Sequence, residues 1–182
     1  MSNNEIPHEV RLSDNVVGLI QLCRDTVSDA YEMGYRTIDP GLLDVAARIV
    51  GKWDKKDLIN RFILKSCSYW EQIHTKDEEF FKKNMSSIFD GIPTINTDAI
   101  SELFSAVDPK TQQPVVTDDD REGVWEFLIS MVKICIKYIH QNRQPILYNV
   151  DGNLKPFYKS EFFMEIPLEK YASRFGVKLQ FS

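Results

Sequence analysis

One pair of residues has the spacing of a metal-binding motif. Glu71 and His74 stand three positions apart, which would place a carboxylate and an imidazole on one face of a helix, as in the Glu-x-x-His motifs of di-iron bundles. Those bundles use the motif twice, whereas this chain has one copy, and Glu78 is a candidate third ligand for a single metal ion. The alternative is a hydrated helix surface on which these side chains pair with each other and with Lys76. We favour the surface interpretation and predict no bound metal or other cofactor.

Sequence motifs of other catalytic sites are missing. The acidic run Asp118–Asp120 lacks the alternating oxygen ligands and the central glycine of a calcium loop, and carboxylates are favourable at the start of a helix. The glycines are isolated, and no Gly-Lys-Ser or Gly-Lys-Thr sequence of a phosphate loop occurs. No serine stands in a nucleophile-elbow sequence. We therefore name no catalytic residue and favour a non-enzymatic protein over the alternative, an enzyme with a dispersed site around Glu71 and His74.

The composition is that of an ordinary folded protein. Of the 182 residues, 43% are hydrophobic and 27% are charged, which suits one domain, or one domain with a small appendage, around a sizeable core. The net charge is -5, so no basic surface supports broad binding to phosphates, and we do not favour a nucleic-acid partner. The three cysteines lie far apart among apolar neighbours, which is typical of buried thiols in a reducing compartment.

No targeting or membrane segment is predicted. The N-terminal sequence MSNNEIPHEVRLSDN has no apolar stretch typical of a secretory signal. The most apolar stretch, Val124–Ile139, is interrupted by polar residues and is too short to span a bilayer. We expect a cytoplasmic, intracellular protein without a membrane span.

Apolar residues at helical spacing predict five helices before residue 143. Their predicted bounds, in chain order, are from Leu12–Asp14 to Gly34, Asp39–Gly51, Asp57–Phe89, Thr97–Val107 and 118–142. In the third of them the apolar phase continues without interruption, which indicates one long or kinked helix. Thr75 and Glu78 have capping-box spacing, which would instead begin a new helix. We favour the single helix.

The last of these helices is the predicted centre of the fold. Between Val124 and Ile139 its residues are apolar or aromatic except for a narrow polar stripe. The stripe consists of Glu126, Ser130, Lys133 and Lys137. A helix with so little polar surface must be surrounded by other helices on most sides. The predicted fold is therefore mainly α, a helical bundle around the central apolar helix 118–142.

A small α+β element is predicted after the bundle, so that a domain 1–143 is followed by an element 144–182. Its parts, in chain order, are a hairpin (146–150 and 154–158), a strand (161–166), a helix (167–175) and a last strand (177–181). The hairpin signal is Asp151-Gly152-Asn153, which is typical of a tight turn. Pro156 cannot donate a ladder hydrogen bond, which predicts that its strand lies at an edge.

Aromatic and basic residues are mixed in this C-terminal element, whose net charge is opposite in sign to that of the helical part. An unpaired strand edge beside such residues favours a protein partner, which could add a strand or dock an acidic surface. The predicted partner-binding residues are Tyr148, Lys155, Phe157, Tyr158 and Lys178. Weak nucleic-acid binding through the same aromatics and lysines is the alternative.

The segments Asp77-Glu78-Glu79-Phe80-Phe81 and Ser130–His140, in the middle of the chain, mix charged and apolar residues in helical patterns. In these patterns the chain resembles small helical proteins of large nucleocytoplasmic DNA viruses. The resemblance implies an intracellular viral protein that is associated with the virion, and it carries over no catalytic residue. Together with the missing catalytic motifs, it leads to the hypothesis of a non-enzymatic interaction, assembly or accessory protein.

Overall fold

Helices account for most of the fold, and the strands lie in the C-terminal part. The computed structural model describes residues 5–88, 91–142, 146–159 and 165–180. Within these ranges the elements, in chain order, are α1 (His8–Glu32), α2 (Pro40–Gly51), α3 (Lys55–Ser66), a 3-10 turn (Cys67–Tyr69), α4 (Trp70–His74), α5 (Glu78–Ile88), α6 (Thr97–Ser105), α7 (Asp118–Asn142), β1 (Ile146–Val150), β2 (Asn153–Lys159), β3 (Glu165–Ile166) and α8 (Leu168–Arg174). The prediction of a mainly α fold with a small C-terminal α+β element is confirmed.

The central helix is α7, as predicted. It packs against α1, α4 and α8 and is buried along most of its length. Its buried residues are Trp125, Leu128, Met131, Val132, Ile134, Cys135, Ile136 and Ile139. Of the predicted polar stripe, Glu126, Lys133 and Lys137 are exposed and Ser130 is half-buried. The stripe therefore marks the side of α7 that faces solvent.

Side-chain caps mark the starts of several helices, among them α7 and α2. At the start of α7, Oγ1 of Thr117 accepts a hydrogen bond from the N–H of Asp120 at 3.2 Å, and Oδ2 of Asp120 accepts one from the N–H of Thr117 at 3.2 Å. This is a reciprocal capping arrangement. At the start of α2, Asp39 accepts a hydrogen bond from the N–H of Gly41 at 2.8 Å, and Pro40 occupies the first helical position. Both predicted starts are confirmed.

Two glycines allow α1 and α7 to approach each other closely. A Cβ added to Gly18 would lie 2.8 Å from Cε1 of Phe127, and one added to Gly123 would lie 3.0 Å from Cδ2 of Leu22. Larger residues at these positions would push the two helices apart. Because α1 also packs against α2 and α3, this crossing joins the N-terminal helices to the central helix.

The predicted start of α1 at Leu12–Asp14 is wrong, because the helix begins at His8. Pro7 precedes it, and the carbonyl oxygen of Pro7 accepts a hydrogen bond from the N–H of Val10 at 3.1 Å. Ser13, which looked like part of a cap, is buried inside the helix. Pro7 is the N-cap residue, with a ψ of 144°, and no side chain caps the start of α1.

The predicted single helix 57–89 is also wrong. The chain instead forms α3, the 3-10 turn, α4 and α5, with a break at 75–77. Lys76 has a φ of 53°, which interrupts the helical backbone. Asp77 then begins α5 by accepting a hydrogen bond from the N–H of Phe80 at 3.0 Å. A new helix thus begins where the capping-box alternative placed it, but the cap is Asp77 and not Thr75, and Phe89 lies outside the described residues.

The predicted C-terminal hairpin is present, and its turn is one residue shorter than predicted because Asn153 belongs to β2. β1 and β2 pair antiparallel, with Val150 opposite Asn153 next to the turn. Asp151 and Gly152 have φ values of 51° and 82°, which is the backbone of a type I′ turn. The hairpin signal in the sequence is therefore confirmed.

The predicted edge position of the second strand is wrong. The strand order is β1-β2-β3, so β2, which contains Pro156, is the middle strand. Among the described residues, β3 pairs with Tyr158 and Lys159 of β2, and Pro156 has a neighbouring strand on one side only. A proline that lacks a second neighbour causes no loss of a ladder hydrogen bond on that side. Of the predicted strand 161–166, residues 161–164 lie outside the described residues.

The predicted last strand is wrong over its described part. Residues 177–180 form no regular strand. Val177 is instead buried in the core, and the carbonyl oxygen of Gln180 lies 2.6 Å from Nε2 of His140 at the end of α7. Phe181 lies outside the described residues. The alternating apolar residues of this segment therefore serve to pack it against the bundle.

Candidate functional site

An open cavity of about 330 Å³ lies among the N-terminal helices and α7. Six helices contribute to its wall, which consists mainly of apolar side chains. One residue from each of α1, α2, α3, α5, α6 and α7 represents this wall: Ile20, Leu43, Phe62, Phe81, Ile100 and Leu128. The cavity forms where the apolar faces of these amphipathic helices meet without filling the space between them.

The loop between α5 and α6 supplies one side of the cavity through Ile92 and Ile95. Its backbone turns at Gly91 and at Thr94, which have φ values of 88° and 66°. The hydroxyl of Thr94 donates a hydrogen bond to the carbonyl oxygen of Leu42 at 2.8 Å. This bond anchors the loop to α2 and so holds the two isoleucines beside the cavity.

One arginine connects three helices beside the cavity. The guanidinium of Arg121, on α7, donates hydrogen bonds to the carboxylate of Glu78 on α5 and to the carbonyl oxygen of Phe104 on α6. A second link is the ion pair between Lys76, just before α5, and Glu122 on α7. Charge-assisted hydrogen bonds are stronger than neutral ones, and these contacts set the spacing of α5, α6 and α7 around the cavity.

Charged side chains at the cavity are mostly cationic. We define the cationic mouth as the four cations that line the cavity: Arg61, Lys65, Lys82 and Arg121. Among the described lining residues the one carboxylate is that of Glu78, which hydrogen-bonds to Arg121 and lies 3.5 Å from Nζ of Lys82. Arg61 is exposed and makes no hydrogen bond or ion pair with any residue that the structure describes. The mouth therefore carries a local excess of positive charge.

A thiol also lies on the cavity wall. Burial, together with the smaller effect of the nearby Asp120 carboxylate, raises the pKa of Cys23 to about 12. Burial also raises the pKa of Cys67 and of Cys135, and none of the three cysteines forms a disulfide. The thiolate is the reactive form of cysteine. Because Cys23 stays protonated at neutral pH, it contributes apolar surface to the cavity and no nucleophile.

The predicted metal candidates are not brought together. Oε1 of Glu71 lies 3.4 Å from Nη2 of Arg174 in α8. Glu78 lies after the helix break at 75–77 and pairs with Lys82 of the cationic mouth. The ring of His74 packs edge-on against Phe175, with 5.4 Å between ring centroids. Among the described residues, no group of three His, Cys, Asp or Glu side chains is placed to hold a metal ion. Glu71 and His74 therefore belong to the contact between α4 and α8.

The predicted partner-binding residues lie in the C-terminal element. Tyr148 is in β1, opposite Lys155 of β2, and Phe157 and Tyr158 follow along β2. Lys178 is an exposed residue after α8. Their role in binding a partner stays a prediction.

Sequence patterns do not indicate the cavity, because its apolar residues have the helical spacing of ordinary core positions. One feature of the sequence does correspond to the border of the cavity. Arg61 and Lys65 stand one helical turn apart on α3, and Leu58 and Phe62 share their face of that helix. A helix face that is both apolar and cationic suits a position at the border between an apolar space and water.

The fold and the cavity define a mainly α-helical protein with an open apolar pocket. Comparison of the chain with protein-family models finds no match, and comparisons with curated proteins and with solved structures find none either. In the described part of the chain, no helix combines the length and the apolarity needed to cross a membrane. Function is therefore inferred from the residues of this chain alone.

Proposed function

We propose that the protein is a non-enzymatic binding protein that takes an apolar ligand into its open cavity. The observation that carries this proposal is a volume of about 330 Å³ bounded by apolar side chains. Protein interiors are close-packed and contain few voids larger than a water molecule, whereas pockets that bind small molecules measure about 300–1,000 Å³. The cavity belongs to the second group by size, and an apolar ligand would remove its wall from water.

The polar groups around the cavity support binding over catalysis. The lining carboxylate of Glu78 is held in ion pairs by Arg121 and Lys82, which leaves it poorly placed to act as a general base. The thiol of Cys23 is protonated at neutral pH. The described lining residues thus offer cations and apolar surface, which are the groups that bind and orient a ligand.

Filling the cavity should reduce binding of a neutral apolar probe, the dye Nile red. Val124 is a half-buried residue of the cavity wall, and Val124→Phe places an aromatic ring in the space that the probe would occupy. We expect the wild-type protein to bind Nile red at one saturable site and the variant to bind it about tenfold more weakly or worse, a difference of about 1.4 kcal/mol. A fluorescence titration measures both affinities.

The matched control is Ile129→Phe, which makes a comparable change at a half-buried position of α7 that is not part of the cavity wall. This variant should bind the dye as the wild type does. Met85→Phe, on α5, is a second filling variant for use if Val124→Phe unfolds. Absence of saturable binding by the wild type, or equal binding by the filling and control variants, would contradict the proposal.

A protein partner at the C-terminal hairpin is the second candidate function. β1 pairs with β2 on one side, and no strand of the described chain pairs with its other side. Leu154, beside the turn, is 66% exposed. A partner could add a strand to β1, and such a contact would suit the virion-associated assembly or accessory role that the viral resemblance implies. The proposed contact residues are those predicted from the sequence: Tyr148, Lys155, Phe157, Tyr158 and Lys178.

Leu147→Pro tests strand addition while sparing the hairpin. Leu147 lies opposite Pro156, which has no N–H, so the two form a non-hydrogen-bonded pair and the N–H of Leu147 points away from β2. Proline at this position removes the outward N–H. We expect a partner captured by the full-length chain to be lost with Leu147→Pro and retained with Leu147→Ala, as measured by affinity capture from cells that express the protein. Equal capture by both variants would argue against strand addition.

A further inference from the structure

We propose that the ligand of the cavity is a fatty acid, with its carboxylate at the cationic mouth and its hydrocarbon chain in the cavity. The inference rests on the proposed binding function and adds the chemical class of the ligand. It combines two features of the same site, an apolar wall and an excess of cations among the residues that line it.

The cationic mouth is positive although the whole chain is negative. Among the described residues, four cations and one carboxylate line the cavity, in a protein whose net charge is -5. The carboxylate of Glu78 is bonded to Arg121 and lies close to Lys82, so its charge is compensated within the site. Arg61, on α3, adds a positive charge that no described residue pairs. A head group that enters the mouth therefore meets a positive potential, which favours an anion over a neutral or cationic group.

Arg61 is the cation most available to a carboxylate. Arg121 donates to Glu78 and to a backbone carbonyl, and Lys82 lies within 3.8 Å of both Glu78 and Glu79. Arg61 is exposed and has no such partner among the described residues. A guanidinium can hold a carboxylate through two parallel charge-assisted hydrogen bonds, and we assign this role to Arg61.

The cavity wall suits a single hydrocarbon chain. Apart from Ser66 and Thr97, the uncharged side chains that the structure describes in the wall are apolar, and they offer little to a ligand with polar groups along its length. The volume of about 330 Å³ lies at the lower end of the range for ligand pockets, which favours one chain over the two chains of a membrane lipid. Each methylene group that becomes buried raises the affinity about fourfold, until the chain fills the cavity.

A series of single-chain compounds tests both parts of the proposal by displacement of Nile red. The carboxylates are octanoate, decanoate and dodecanoate, and dodecanol and dodecylammonium are matched controls for the head group, all below their aggregation concentrations. We expect affinity to rise along the carboxylate series. Dodecanoate should bind about tenfold more tightly than dodecanol, because a hydrogen bond to a charged group is worth about one order of magnitude or more. Dodecylammonium should bind most weakly.

Arg61→Gln tests the assigned head-group contact. This variant should lose about tenfold in affinity for dodecanoate and keep its affinity for dodecanol, since the hydrocarbon chain and the cavity wall are unchanged. Arg48→Gln is the matched control, because Arg48 is an exposed arginine of α2 outside the cavity wall. It should change neither affinity. Higher salt should weaken the binding of dodecanoate more than that of dodecanol.

The outcomes separate the two proposals. If the wild type binds neither Nile red nor any of the dodecyl compounds, the proposed binding function is wrong, and the assignment of a fatty acid is wrong with it. If dodecanol binds as tightly as dodecanoate and Arg61→Gln changes neither, the cavity binds apolar chains but the carboxylate assignment is overturned. A selective loss of dodecanoate binding in Arg61→Gln supports both.

Discussion

Replacing Trp70 by alanine is expected to lower the free energy of unfolding by about 3–5 kcal/mol. The side chain of Trp70 is fully buried, and its Nε1–H donates a hydrogen bond to Oγ of Ser66 at 3.0 Å. Its ring also meets the ring of Tyr171 from α8 edge-on, with 5.2 Å between centroids. The substitution would leave a large cavity and a buried hydroxyl without its donor. Urea denaturation followed by circular dichroism measures the loss.

Trp53→Ala is the control for this experiment. Trp53 is half-buried at the open cavity, so its removal takes away less buried surface and leaves a space that water can enter. We expect a clearly smaller loss of stability than for Trp70→Ala. Equal losses for the two variants, or a loss below about 1 kcal/mol for Trp70→Ala, would contradict the central position of α4 between the bundle and α8.

The confirmed predictions depend on interactions between near neighbours in the sequence. Asp39 caps α2 through a residue two positions away, and Thr117 caps α7 through a residue three positions away. The type I′ turn of the hairpin likewise requires only that Asp151 and Gly152 adopt positive φ. Such features can be predicted because the residues that form them are adjacent in the chain and need no distant contact.

The break at 75–77 could not be predicted in this way. The segments on either side both bury apolar residues in the same core, so the apolar phase continues through the break although the helix does not. The continuous spacing of apolar residues therefore indicates two amphipathic segments, but it does not show whether one helix joins them. One contact that holds the break is distant in sequence, since Lys76 pairs with Glu122 of α7. The sequence of the segment alone does not contain that partner.

The cavity is likewise a property of the assembled helices. Apolar spacing predicts which side of each helix faces the core, but the distance between facing helices depends on close contacts such as that of Gly18 with Phe127. It also depends on distant ties such as the hydrogen bonds of Arg121 to α5 and α6. A residue such as Ile100 has the same sequence pattern whether it fills a core or borders a pocket. The cationic mouth is easier to predict from the sequence, because Arg61 and Lys65 share a helix face with apolar residues of α3.

A chain that ends at Arg143 is expected to lose its stable native state. The deletion removes residues that are buried in the same core as α7: Ile166, Leu168, Ala172, Phe175 and Val177. Burial of each large apolar side chain contributes about 1.5–3 kcal/mol, so the four larger ones together approach the whole stability of a typical domain, about 5–15 kcal/mol. The deletion also exposes the ring of Trp70. We expect a protein without a cooperative thermal transition, as measured by circular dichroism.

Two single substitutions in the full chain distinguish loss of core packing from loss of chain length. Leu168 is fully buried at the start of α8, whereas Leu154 in the hairpin is 66% exposed. Leu168→Ala should lower the free energy of unfolding by about 2–5 kcal/mol, and Leu154→Ala should stay within about 0.5 kcal/mol of the wild type.

The division of the chain at residue 143 is a prediction that the deletion tests directly. If the truncated chain melts cooperatively at the wild-type midpoint, 144–182 is a separate element that is available to a partner. If the truncated chain has no cooperative transition, α8 is part of the bundle, and only the hairpin is left as an interaction surface.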